Sequence, residues 1–138
     1  MNNRMNVYNL RILIILSVCT IISCETTHSE KEIYGLWKGE FEGKELMFHF
    51  ESDSTCILSL TNKASGSVMV LNGNFEMDFS KKPITLSIRN ITNLSHPLHT
   101  IVKFGDINSI KLANFSPRWR VRPISFDHNT SINLKRIK

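Results

Sequence analysis

"IYGLWKGEFE", residues 33–42, alternates strictly. Ile33, Gly35, Trp37, Gly39 and Phe41 share one face and Lys38, Glu40 and Glu42 the other, which is the period-two signature of a strand with one buried side. A turn at Gly43 leads into "KELMFHFE" (44–51), where Leu46, Phe48 and Phe50 oppose Met47, His49 and Glu51. A second turn at Ser52 to Ser54 leads into "STCILSLTN" (54–62), with Cys56, Leu58 and Leu60 in line. Runs this short, separated by tight turns, predict a meander of antiparallel hairpins.

The same grammar continues to the end of the chain. "GSVMVLNGNFEMDF" (66–79) aligns Met69, Leu71, Gly73, Phe75, Met77 and Phe79, with Gly73 as a place for a bend. "PITLSIRNI" (83–91) offers Ile84, Leu86 and Ile88, "LHTIVKF" (98–104) offers Leu98, Val102 and Phe104, and "NSIKLANF" (108–115) offers Ile110 and Leu112. The closing run, "SINLKRIK" (131–138), places Ile132, Leu134 and Arg136 on one face. No window holds a helical period, so the expected fold is all-β: a small antiparallel up-and-down β-barrel of about eight strands over residues 33–138. Arg136 breaks the apolar parity of its strand, and a charge among core positions needs a partner. In a closed barrel the last strand neighbours the first, which supplies the face of Trp37 for the guanidinium to cover.

Gly35-Leu36-Trp37 resembles the G-x-W opening of lipocalins and related calycins, in which an arginine near the end of the barrel covers that tryptophan. The segments "GLWKGEFEGKELMFHF", "LNGNFEMDFSKKPITLSI" and "VRPISFDHNTSINLKR", in this order, resemble small lipocalin-like domains of bacterial exported proteins, across roughly residues 33–137. The resemblance implies barrel closure by Trp37 and Arg136. It also implies a small apolar or amphipathic ligand held among Trp37, Phe41, Phe48 and Phe75. The alternative is a barrel filled by its own side chains, because an eight-stranded interior either packs solid or holds one small molecule. In that case the chain presents its arginine segment or the "NITNLSHPLHT" loop (90–100) to a protein partner in the cell envelope.

Ahead of the barrel, "ILIILSVCTIISC" (12–24) follows a stretch with Arg4, Arg11 and no acid. The twelve residues Ile12 to Ser23 reach about 18 Å as a helix, short of the roughly 30 Å hydrocarbon core, so they read as an export signal rather than a span. Cys24 after "IIS" resembles the lipobox of bacterial lipoproteins. That implies removal of residues 1–23, acylation of Cys24, a tether over 24–32 and anchoring in the membrane by lipid. Glu25 is not the aspartate associated with inner-membrane retention, which points to the outer membrane.

Charge excludes more than it suggests. With 17 Lys and Arg against 12 Asp and Glu, and two of the arginines in the signal, the remaining balance is too small to argue for nucleic acid. The acids crowd into residues 24–80 and the bases into 81–138, so complementary charge is expected to help first and last strands meet. Cys56 is the one thiol left after processing, which excludes an internal disulfide and marks it as a small buried hydrophobe.

Catalytic and metal signals are absent or thin. His96 and His99 have H-x-x-H spacing without an adjacent acid or cysteine and read as exposed loop residues, so no metal site is expected. Asp127-His128 sits in a turn sequence, and no P-loop, dinucleotide fingerprint or nucleophile elbow occurs. No enzyme and no cofactor is therefore expected. Arg118, Arg120 and Arg122 alternate, which predicts a strand with a solvated basic edge or a contact for an anion or lipid headgroup.

Overall fold

The computed structural model describes residues 27–138; the signal and Cys24 readings lie outside the described residues. A single 3-10 turn, Glu30–Glu32, leads into eight strands: β1 Gly35–Phe41, β2 Lys44–Phe50, β3 Thr55–Asn62, β4 Val68–Asp78, β5 Ile84–Arg89, β6 Leu98–Phe104, β7 Ser109–Leu112 and β8 Ile132–Ile137. Every strand pairs antiparallel with its sequence neighbours, and β8 returns to β1, closing an up-and-down barrel.

Alternation decides what is inside. Trp37, Leu46, Phe48, Phe50, Cys56, Leu58, Leu71, Phe75, Leu86, Ile88, Val102, Ile110, Leu112, Ile132 and Leu134 form one buried cluster. These are the in-line apolar positions of the eight runs. The turns between β2 and β3, β4 and β5, and β6 and β7 gather at one end, here called the base, where the 3-10 turn also lies. The other connections gather at the opposite end, the mouth.

The seam between β1 and β8 is not closed by opposite charges. The charged residues facing each other there are Lys38 and Lys135, and Lys38 turns to Glu45 on β2 at 2.8 Å. Close backbone approach does the work instead: a Cβ on Gly39 would stand 2.5 Å from the Asn133 carbonyl oxygen, so only glycine fits.

Three expectations are corrected. Arg118, Arg120 and Arg122 do not lie on a strand; one 3-10 turn, Trp119–Val121, occupies the segment, because the long β7–β8 connection folds back over the barrel wall rather than entering the ladder. His99 is not an exposed loop residue; it lies in β6 and is buried. Met69 shares parity with the core but lies near the mouth beyond the reach of β5, and it is exposed.

The outer wall of β5 and β6 is covered as well. Thr85, Ser87, His99 and Ile101 point outward by alternation yet are buried, and the β7–β8 connection pairs with this wall through His99 and Ser116. That is why β5 and β6 read as nearly continuous buried runs.

Candidate functional site

The interior, where a barrel-bound ligand would sit, is occupied by side chains. Phe48 and Phe50 stack with centroids 5.7 Å apart, and Phe75 meets Phe50 edge-on at 5.0 Å. From the mouth, Phe115 of the β7–β8 connection stacks on Phe48 at 6.1 Å and plugs the opening. The void lined by Cys56, Leu58, Leu71, Gly73, Ile88, Ile91 and Leu98 has only about 10 Å³. That is at most the space of one water, in an apolar setting that gives a water no partners. Of the four residues assigned to a ligand, Trp37, Phe48 and Phe75 are buried in this packing, while Phe41 is half-buried.

Trp37 and Arg136 form a lock at the base. They face each other across the β1–β8 seam, with the guanidinium 4.2 Å above the ring centroid. The Trp37 indole N–H donates to the Ile33 carbonyl at 2.6 Å. Arg136 donates from Nη2 to the Glu32 carbonyl at 2.6 Å, from Nη1 to the Tyr34 carbonyl, and from Nε to the Ile107 carbonyl at 3.3 Å. One cation thus holds the first 3-10 turn, the residue that enters β1 and the β6–β7 turn against a buried ring. A planar fork of donors suits this geometry.

Beside the lock lies a cleft of about 650 Å³, lined by His28, Lys31, Trp37, Phe104, Ile107 and Arg136 among others. His28 stacks on Phe104 at 4.8 Å and bonds Glu32 at 2.7 Å. The hydrogen bond from His28 holds the Glu32 carboxyl below its ordinary value. The cleft combines an apolar floor with walls of mixed charge, Lys31 and Arg136 beside Glu32 and Asp106.

On the covered wall, Ser87 Oγ and His99 Nδ1 are 2.8 Å apart and both residues are buried. Trp119 meets the His99 ring edge-on at 5.4 Å, and Arg122 stacks over Trp119 at 3.9 Å. Burial first, then the charges of Arg89 and Arg122, lower the His99 pKa. The Ser87–His99 bond ties β5 to β6 on the outer wall, and the β7–β8 connection is held there by the backbone bonds between His99 and Ser116 and by the Trp119 ring. His96 remains apart on the β5–β6 loop. Among the described residues no three His, Cys, Asp or Glu side chains come together as a metal site would need. Cys56 faces the core, and burial pushes its thiol up to about 12.

A scan against protein-family models and searches of curated proteins and of solved structures found no match. The closed eight-stranded barrel with a buried aromatic cluster is consistent with a lipocalin-like fold.

Sequence reasoning missed the plug. Phe115 lies beyond the end of β7, where strict alternation from Ile110 and Leu112 would send it outward, and only the turn of the chain after Leu112 brings it in. It missed the basal cleft for a similar reason, since that cleft is built from three segments distant in sequence.

Proposed function

We propose that the protein is a lipoprotein of the cell envelope, anchored through acylated Cys24 in the outer membrane, whose solid barrel serves as an interaction domain for protein partners rather than as a carrier. The observation that carries this reading is the packed interior: Phe115 stacked on Phe48 where a ligand would enter, and a void of about 10 Å³ behind it. The reading includes no catalysis, no cofactor and no nucleic acid. Fluorescent fatty-acid and retinoid-like probes test it, with Trp37 inside and Trp119 outside as reporters. The expected result is no saturable quenching of Trp37 at micromolar probe; a stoichiometric, saturable response from the interior would refute it.

A second reading has its own support. The basal cleft of about 650 Å³ has the size of a small-ligand site and sets Phe104 and Ile107 beside Lys31 and Arg136. Glu32 and Asp106 share that lining, so an amphipathic molecule with a zwitterionic head, its anionic part at Lys31, fits the mixed chemistry outside the barrel. Lys31→Glu would weaken its binding, whereas a ligand seated in the core would be indifferent to that charge.

A further inference from the structure

We infer that the free edge of β4 at Val68–Val70 is a homotypic contact, at which a second copy of the chain pairs antiparallel and continues the sheet from one barrel to the next. The inference rests on the interaction-domain reading and names its surface and its partner.

Register shows where the backbone groups of β4 point. Asn62 N–H bonds the Ser67 carbonyl at 2.9 Å and Phe75 N–H bonds the Ser54 carbonyl at 2.8 Å, which marks these two pairs as exchanging bonds between β3 and β4. Alternation then makes Met69, Leu71 and Gly73 the other residues bonded to β3, and turns the N–H and C=O of Val68, Val70 and Asn72 the opposite way. On that side β5 begins only at the level of Asn74, and the Asn72 carbonyl is taken by the Thr92 N–H and hydroxyl. Among the described residues no strand pairs with Val68 or Val70 there.

The side chains match this opening. Val68, Met69 and Val70 are 60%, 58% and 51% exposed, a contiguous run of apolar residues on an unpaired edge. Natural sheets guard such edges with charges, prolines or bulges. From Ala64 to Phe75 there is no charged residue and no proline, and the β3–β4 register runs without a bulge.

A second copy fits better than another occupant. A two-fold axis through Met69 places Val68 opposite Val70 and Met69 opposite Met69 of its twin, an apolar and self-complementary pairing. About four backbone hydrogen bonds then form, two around each Val68–Val70 pair, with no like charges brought together. Thr27 lies at the base, the end of the barrel opposite this edge, and once residues 1–23 are removed, as the lipoprotein reading has it, only three residues precede it, too few to reach the edge. Three side chains about half exposed fall well short of the roughly 800 Å² per partner of a stable soluble interface. The contact is therefore weak in solution and gains from confinement on a shared membrane, which raises effective concentration.

Cross-linking in the membrane of origin tests this with the full chain. Met69→Cys places one accessible thiol on the two-fold axis, at a directly opposed pair suited to a disulfide, while Cys56 stays buried. Val68→Cys and Ser65→Cys, at exposed positions nearby, serve as comparisons. With copper phenanthroline as oxidant, the expected result is a covalent homodimer from Met69→Cys at about fivefold or more the yield of either comparison, reduced to their level by adding Val70→Lys. Equal yields from the three cysteines, or a dimer that survives Val70→Lys, would overturn the inference. Cross-linking of Met69→Cys to a different protein would overturn the choice of a second copy and leave the interaction-domain reading standing. Saturable binding of a probe in the core would instead remove that reading itself.

Discussion

Replacing Arg136 by alanine should cost the barrel about 3 kcal/mol of stability, from about 1 for the stacking on Trp37 and about 1 for each of the two closer bonds to backbone carbonyls. The third bond, from Nε to the Ile107 carbonyl, adds little because at 3.3 Å it is long. For a domain of this size such a loss lowers the melting temperature by roughly 12 °C. Arg136→Lys keeps the charge but not the planar fork, so it should recover only about 1 kcal/mol of the loss. Urea unfolding followed by tryptophan fluorescence measures both, with the midpoint shifting and the slope unchanged if the same surface unfolds. A loss below about 0.5 kcal/mol for alanine, or full recovery with lysine, would refute the reasoning that one guanidinium fastens three segments to the indole.

Further expectations follow from the plug, the covered wall and the buried thiol. Phe115→Ala should destabilise by about 2 kcal/mol and open the mouth, so that an environment-sensitive apolar dye that ignores the parent protein binds the variant; a variant as dye-inert as its parent would mean that Phe115 is not the closure. Stability should fall with pH from about 6.5 downward, because the unfolded imidazole takes its proton near 6.5 while His99 in the fold takes it only at lower pH. The loss should stop once the folded value is passed. His99→Gln should flatten that slope in urea midpoints compared at pH 7.5 and pH 5.5, and an unchanged slope would assign it elsewhere. Cys56, with its thiol pushed up to about 12, should resist a thiol reagent at pH 8 until urea unfolds the barrel, and prompt labelling of the folded protein would contradict its burial.

Most of the barrel was legible in the alternation, and particular residues show why. The in-line positions from Trp37 to Leu134 are inside because a strand with one wet face must separate its side chains by parity. The pairing of the first and last strands, which sets Arg136 over Trp37, is a consequence of closure. Parity failed where a second layer intervened. Thr85, Ser87, His99 and Ile101 lie on the outer face and are buried, because the β7–β8 connection folds across them, and nothing local in "LHTIVKF" records a covering segment some fifteen residues downstream. The three arginines were misread as a strand because 118–122 alternates by composition, whereas its backbone has no neighbouring edge to join. Met69 was misplaced because parity gives the face and not the height, and at its height the neighbouring strand is missing. That gap in β5, invisible in the sequence of β4 itself, is also what frees the edge at Val68 and Val70.

Native mass spectrometry of the protein extracted gently from its own envelope tests the central claim, that the barrel is solid, most directly. The account predicts the mass of the acylated chain with no small molecule bound, unchanged when the extraction is repeated in a milder detergent. A reproducible stoichiometric adduct that persists in Lys31→Glu, and so does not reside in the basal cleft, would contradict it.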